Sequence, residues 1–384
     1  PTLDENVNMV DNRSVETPRL GGLAGLTFKP SPNNELSVLT IYSHSTDISA
    51  RELSGRFRTI TAPRVFESRG LGFQEREFID YIVSGSHLIP SLNKLKIEWT
   101  ASVVDSKQDE PDLRFFANTY RADRDMYTVD QSNYSLPGHF FRTLDDRLMQ
   151  AKLDITIPFA QAASTSNKFK VGGYFSRKER DFTESIYNLD RTNSGGEDYS
   201  GDPLKYFCDN NRGLILEEGD DNIMGLYIVD NSRDDNNYTG ETEIAAAYGM
   251  VTLQLTPQLK FIGGGRVETT DIFVESRSEK SATIDEVDFL PAANIIYSLG
   301  ENANLRASYS NTLARPNMRE VAPFANFGFI GDPELFGNPD LVRTRINNMD
   351  LRYEYFMRPG EMFAVSGFYK LFRDPIVQTF RLAG

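Results

Sequence analysis

Between residues 313 and 346 the chain carries aromatic and basic side chains that could bind a ligand. Phenylalanine rings can stack on a planar ligand, and arginine guanidinium groups can hold the oxygens of an anionic chelate or a sugar acid. The candidate ligand-binding residues are Arg315, Arg319, Phe324, Phe327, Phe329 and Arg343. Two alternatives stay open, because the rings could pack against neighbouring loops and the arginines could form salt bridges with acidic loops. The predicted chemistry is binding, without a covalent step.

Residues that could perform catalysis are few and scattered. The only histidines are His44, His87 and His139, and only His44 and His139 fall near long connections, where a general base could meet a substrate. No Ser-His-Asp spacing and no metal-ligand cluster accompanies them. The glycines of 263–265 lack the Lys-Ser/Thr of a phosphate loop, and glycine inside a strand pattern marks a bend or bulge. The sequence therefore predicts neither an enzyme nor a metal or cofactor site.

Acidic residues dominate the stretch from Glu179 to Gly240, within a chain whose net charge is -14. This stretch is interpreted either as a solvated surface loop or as a lid that faces a cation or a ligand. No Asp-x-Asp-x-Asp-Gly pattern defines a calcium loop, so no metal ligands are assigned. A nucleic-acid partner is not predicted, because the chain has no basic stripe.

Alternating apolar and polar residues predict the strands that must position these loops. In the segment 94–103, Leu95, Ile97 and Trp99 fall on one face of a strand, while Lys96 and Glu98 fall on the other. A helix would repeat its apolar residues every three or four positions instead. The polar residues expected to line a hydrated interior are Lys96, Glu98, Asp154, Arg306 and Glu354.

The same pattern predicts twelve strands and the start of another near Ile376. The strands lie near 21–28, 36–45, 72–85, 93–105, 147–159, 168–178, 242–255, 259–270, 288–298, 304–312, 347–356 and 361–372. Connections after the odd-numbered strands are short, and those after the even-numbered strands are long and polar. The long connections lie near 46–71, 106–146, 179–241, 271–287 and 313–346. This sorting is typical of outer-membrane barrels, which have tight periplasmic turns and long extracellular loops, whereas β-sandwiches and propellers do not usually show it.

Composition is compatible with one all-β transmembrane antiparallel up-and-down barrel over residues 1–384. No linker divides the 384 residues into domains. The mean hydropathy of -0.43 excludes a helical membrane protein but not a barrel. The single Cys208 excludes an internal disulfide. Because the chain starts at Pro1 without a signal segment and ends as a strand begins, we expect an internal piece of a longer protein.

Motifs in the last third of the chain carry a family resemblance. They are Tyr309–Pro316, Gly337–Leu341, Met349–Phe356, Pro359–Glu361, Phe368–Lys370 and Asp374–Ile376, with Phe261–Thr269, Leu290–Tyr297 and Asp109–Phe116 upstream. Their order and spacing resemble the C-terminal barrel of TonB-dependent outer-membrane receptors. The resemblance covers most of the chain and is thinnest before about Leu20 and in the acidic stretch.

The resemblance implies a fragment of a barrel of about 22 strands, which in this family surrounds an N-terminal plug. It implies an outer-membrane active-transport receptor for siderophore-iron, cobalamin or a glycan, energised by the TonB complex through the plug, which is missing here. The implied partners are outer-membrane lipid and a small-molecule, metal-chelate or glycan ligand, and the sequence leaves open whether a surface lipoprotein covers the loops. A passive porin or adhesin-like barrel, or a secreted soluble β-sheet protein, are the alternatives.

Overall fold

The computed structural model describes residues 7–57, 60, 62–129, 136–160, 167–191, 195–216, 222–322, 325–326 and 335–379. Its strands are β1 (Val7–Glu16), β2 (Arg19–Ser31), β3 (Asn34–Phe57), β4 (Arg64–Ile89), β5 (Leu95–Arg121), β6 (Met126–Thr128), β7 (Gly138–Pro158), β8 (Lys168–Asp190), β9 (Leu214–Leu216), β10 (Asn222–Met224), β11 (Tyr227–Asp230), β12 (Tyr238–Gln254), β13 (Leu259–Ser276), β14 (Ser281–Ser298), β15 (Ala303–Ala314), β16 (Ala325–Asn326), β17 (Leu335–Phe336), β18 (Thr344–Arg358) and β19 (Glu361–Arg373). Its helices are α1 (Pro203–Tyr206) and α2 (Met318–Val321). Within these ranges, no helix has the length and apolar character needed to cross a membrane.

The long strands form one antiparallel sheet in up-and-down order. The order is β1-β3-β4-β5-β7-β8-β12-β13-β14-β15-β18-β19, and β2 also pairs with β3. Because β1 pairs with the second half of β3 and β2 with its first half, these two strands together form one edge. The other edge is β19, and no pairing joins the two edges among the described residues. The predicted all-β, antiparallel up-and-down architecture is confirmed.

All twelve predicted strands occur, but they are longer than the alternation indicated. β4 has 26 residues and β5 has 27, whereas a tilted strand needs only about 9–11 residues to cross a membrane. The stretches 46–71, 106–146 and 271–287, expected as loops, therefore consist largely of strand, and β13 and β14 are joined by residues 277–280 alone. Backbone hydrogen bonds between neighbouring strands can continue into the aqueous region without apolar side chains. The alternation therefore ends before the strand does. That these ends face the cell exterior stays a prediction.

Two other expectations about the ends of the sheet need correction. The strand β1 was not predicted, because its sequence lacks a regular apolar face and its pairing with β3 supplies the order. The strand expected from Ile376 is not present in residues 374–379, and residues 380–384 lie outside the described part of the chain.

The two faces of the sheet reverse the arrangement of a water-soluble protein. Leu153 is 44% exposed while the adjacent Asp154 is 6% exposed, and Phe289 is 65% exposed while the adjacent Asp288 is 3% exposed. Apolar side chains therefore cover the outer face, and charged groups are buried on the inner face. A lipid-facing outer surface with a polar interior explains this arrangement.

Beside the long connections, aromatic residues build two small cores. Phe57 and Phe66 stack with ring centroids 4.6 Å apart in the first core. In the second, Tyr199 and Tyr206 from the acidic stretch pack against Phe116 of β5. The acidic stretch is therefore held against the sheet by aromatic contacts.

Many acidic groups of that stretch are paired. Asp198 contacts Arg191, and Asp209 contacts Arg212. Lys280 Nζ lies 2.6 Å from Asp235, and its hydrogen bond lowers the pKa of that carboxyl. These contacts are exposed and salt-screened, which favours the interpretation of a solvated surface segment.

Substitution of Gly85 is expected to shift the emission of the chain's single tryptophan. Trp99 lies against Gly85, where a Cβ atom would collide with the indole. Its Nε1–H donates to His87 Nε2 at 3.2 Å, and His87 Nδ1 bonds Asn34 Oδ1 at 2.8 Å. In the lipid-reconstituted full-length protein, Gly85→Val should displace the ring and move the Trp99 emission, taken as the difference from the Trp99→Phe variant, to longer wavelength, because the indole loses its partner and becomes wetter.

The matched control is Gly22→Ala, since no atom lies within 4 Å of a Cβ at Gly22. It should leave the emission of Trp99 unchanged. An unaltered spectrum in Gly85→Val would show that the indole does not rest on this glycine.

Candidate functional site

The segment between β15 and β18 folds back onto the inner face of the sheet. Helix α2 places Met318 and Val321 in a buried cluster with Ile272, Val274 and Ile284 of β13 and β14. Burial of several apolar side chains in this cluster stabilises the segment against the wall. The described residues around α2 are therefore packed into the interior.

Local hydrogen bonds begin and end this segment. Asn317 Oδ1 accepts from the Glu320 N–H at 3.0 Å, and Glu320 Oε2 accepts from the Asn317 N–H at 2.8 Å, which forms a capping box at α2. The Asn338 N–H donates to the Glu320 carbonyl at 2.7 Å. Gly337 lies so close to the Ala322 carbonyl that a Cβ atom would collide with it. The returning chain is thereby fixed beside the helix.

Arg343 fastens the end of the segment to β14. Its guanidinium contacts Asp288 and Glu286, and Arg345 lies 3.0 Å from the same Asp288. The hydrogen bond with Asp288 raises the pKa of Arg343. Arg343 and Asp288 are both buried, so this pair is a structural anchor. Loss of Arg343 would leave the buried Asp288 carboxylate without its buried cation.

Arg315 and Arg319 anchor the start of the segment in different ways. Arg315 contacts Glu268 and donates from Nε to Thr270 Oγ1 at 2.9 Å. The Arg319 guanidinium lies 5.6 Å from the Phe182 ring centroid and 5.9 Å from that of Tyr238, a cation–π arrangement. Burial lowers the pKa of both arginines, and for Arg315 the nearby cations act in the same direction.

The structure thus brings the three predicted arginines onto one wall. The carboxylate partners of Arg315 and Arg343 belong to strands and not to the acidic loop that was expected as their alternative partner. Phe324, Phe327 and Phe329 lie outside the described residues. A ligand-binding role for all six residues stays a prediction.

A recurrent arrangement on the inner face is a carboxylate held by two cations, called here a paired-cation cluster. The clusters are Asp146 with Lys178 and Arg180, Asp154 with Lys152 and Lys170, Glu268 with Arg266 and Arg315, Asp288 with Arg343 and Arg345, and Glu354 with Arg306 and Arg352. Among the described residues, Glu286 neutralises the Asp288 cluster, and each of the other four clusters has one more cation than carboxylate. Such an excess along a cleft wall attracts anions.

One buried triad has one more carboxylate than cation. Arg142 lies between Glu110 and Glu184, at 3.4 Å and 2.6 Å. This triad lies near the long connections, whereas the Asp154 and Glu354 clusters lie towards the short turns. The triad therefore offsets part of the positive excess beside the long connections.

Sequence patterns located some members of these clusters and missed others. Asp154, Arg306 and Glu354 are on the polar face as predicted, and Lys96 Nζ lies 2.6 Å from Glu98. A same-face signal exists where a cation stands two residues from a carboxylate, as in Lys152-x-Asp154 and Arg266-x-Glu268. The cross-strand partners carried no such signal.

Comparisons with known proteins agree with this architecture. A family model described as "TonB dependent receptor-like, beta-barrel" matches residues 87–384. The siderophore receptor PiuA from Acinetobacter baumannii aligns with a TM-score of 0.50 and 12% identity, over 94% of this chain and 56% of that one. The alcaligin outer-membrane receptor FauA from Bordetella pertussis aligns with a TM-score of 0.49 and 12% identity, over 95% of this chain and 50% of that one. The chain spans about half the length of these solved structures, and no curated protein matches it.

Proposed function

The chain belongs to the TonB-dependent receptor-like β-barrel family of outer-membrane proteins, and from this premise we propose that residues 1–384 form the barrel part of a receptor for an anionic iron chelate. The receptor would take up a substrate too scarce or too bulky for passive pores. The energy would come from the TonB complex acting on a plug in the full receptor. The proposed residues bind the substrate and guide its passage, and none is assigned to a covalent step.

The observation that carries this proposal is the excess of cations over carboxylates in four clusters on the inner face of a chain whose net charge is -14. Within the described part of the chain, each of these four clusters places two cations around one carboxylate. A neutral glycan would gain nothing from such a wall, whereas an anionic chelate would be attracted along it. The similarity to a siderophore receptor in fold supports the same substrate class among the three predicted ones.

The loops would supply recognition. Arg315, Arg319, Phe324, Phe327, Phe329 and Arg343 remain the proposed ligand-binding residues. Because the three arginines are also anchors of the segment, their contribution would be to hold the binding surface in place as well as to provide charge. The long connections, proposed to be extracellular, would then present a pre-organised mouth.

Transport assays with the full-length receptor test this function. Cells that carry it should accumulate radioactive iron supplied as ferric citrate, and the accumulation should stop when the TonB complex is deleted. Binding by the purified receptor should weaken about tenfold or more between roughly 50 and 500 mM salt, since charge attraction is screened. Neutral maltodextrin and cobalamin serve as controls. Uptake independent of TonB, or binding insensitive to salt, would contradict the proposal.

A further inference from the structure

We propose that the outer face of the sheet binds a phosphate-bearing membrane lipid between Arg345 of β18 and Arg373 of β19. This arginine site lies where the apolar outer face gives way to the long connections. The inference goes beyond the proposed function, because the ligand is a lipid of the surrounding membrane and not the transported substrate. The lipid phosphate would lie between the two guanidinium groups, and its acyl chains would lie along the apolar outer face.

The pairing of β18 with β19 brings the two arginines together. Arg345 and Arg373 stand directly opposite each other, and like charges in this position repel. Arg345 lies 3.0 Å from Asp288 and its side chain is still 55% exposed. Asp288 is already shared with the buried Arg343. A phosphate between the two outer guanidinium groups would remove the repulsion, and arginine binds phosphate oxygens with paired N–H donors.

A row of amphipathic side chains marks the membrane boundary below the arginine site. Tyr309, Met349 and Tyr369 stand side by side on β15, β18 and β19, and they are 37%, 50% and 61% exposed. Tyrosine is enriched at the level of lipid headgroups. The arginines share this face and follow four residues later, about 13 Å along the strand. Their long side chains can reach back to the boundary, where lipid phosphates lie.

A cleft adjoins the arginines on the same face. β14 pairs with β15 only over 292–298 and 304–310, although β14 continues to Ser281. The two strands therefore part above this ladder. The cleft between them has a volume of about 330 Å³, and its border includes Phe289, Asn311, Arg345 and Arg373. Such a volume suits one small polar group, and Phe289, which is 65% exposed, offers an acyl chain an apolar surface beside it.

The charge of the outer face changes around the sheet at this level. From β5 to β14 the outer positions beyond the apolar residues are mostly acidic: Asp105, Lys107, Asp145, Arg147, Arg177, Glu179, Asp181, Glu241, Glu243, Asp271 and Asp285. The corresponding positions of β15, β18 and β19 are Asn311, Leu313, Arg345, Asn347, Leu371 and Arg373. An anionic headgroup is therefore repelled along most of the sheet and attracted to the arginine site.

Native mass spectrometry of the detergent-purified full-length receptor tests the site with dioleoyl phosphatidic acid as the probe. The double substitution Arg345→Gln and Arg373→Gln should weaken binding of the first lipid about tenfold or more, because two charge-assisted contacts are lost. The matched control is Lys107→Gln with Arg147→Gln, which removes two cations from the same face among the carboxylates. It should leave the affinity unchanged. Dioleoylglycerol, which lacks the phosphate, should bind the double variant and the unaltered receptor equally.

Heat-modifiable migration in gels checks that each variant is folded. Equal weakening in the two double variants would overturn the site, because any outer cation would then serve. Displacement of the lipid by inorganic phosphate in excess would also overturn it, since the site would then bind a free anion. If the double variant does not fold, Arg373→Gln alone, which keeps the contact of Arg345 with Asp288, should weaken binding severalfold, and unchanged affinity in that variant would contradict the proposal.

Discussion

Replacement of Arg343 by alanine is expected to release the segment 315–343 from the inner wall. Arg343 is 9% exposed, and its removal leaves Asp288 and Glu286 without their shared guanidinium. Breaking a buried ion pair by removing one partner costs roughly 3–5 kcal/mol. Hydrogen–deuterium exchange of the full-length receptor in detergent should therefore show about 100-fold or greater loss of protection at α2 and little change in the central strands.

Two variants separate the anchor from a general effect of charge. Arg345→Ala removes a cation from the same Asp288, but its side chain is 55% exposed, so the cost should stay within about 1 kcal/mol. The combined change Arg343→Met and Asp288→Leu replaces the pair by apolar side chains and should recover part of the protection. Equal exchange in Arg343→Ala and the unaltered protein would show that the hydrophobic cluster alone holds the segment.

The strands could be predicted because lipid imposes a strict alternation on their membrane-crossing parts. In 94–103 the apolar face of β5 is legible from residue types alone, and Trp99 and Leu153 do stand opposite each other on that face. Beyond the membrane both faces of the sheet meet water. Asp105 and Lys107 therefore lie in β5 although their residue types do not indicate a strand. The strand ends were therefore missed for a physical reason, since only hydrogen bonding defines them.

The Asp154 cluster could be predicted only in part, because its members come from distant positions. Lys152 and Asp154 share a face two residues apart, but Lys170 reaches Asp154 through the register of β7 with β8. Tyr248 is 94 residues from the carboxylate it contacts. Register depends on the pairing of whole strands, so neither partner is visible in a local pattern. Gly172 gave no sequence signal either, because its contribution is the absence of a Cβ atom, which would collide with the ring of Tyr248.

Insertion of a charge on the outer face should destabilise the barrel wall. Leu153 lies among the apolar residues of β7 and is exposed on the face assigned to lipid. An arginine at the bilayer midplane of an outer-membrane barrel costs about 2–4 kcal/mol. Leu153→Arg should therefore lower the urea midpoint of the receptor folded into lipid vesicles and reduce the yield of its heat-modifiable form.

The matched variant is Thr100→Arg, which stands opposite Lys152 on the inner face of β5 at nearly the same depth. It adds the same side chain to a wall that already holds cations and water, so its cost should stay within about 0.5 kcal/mol. If both variants lose stability equally, the inner face is not hydrated. If only Leu153→Arg is damaged, the faces are assigned correctly, and the buried carboxylates with their exposed lysines must look into the interior.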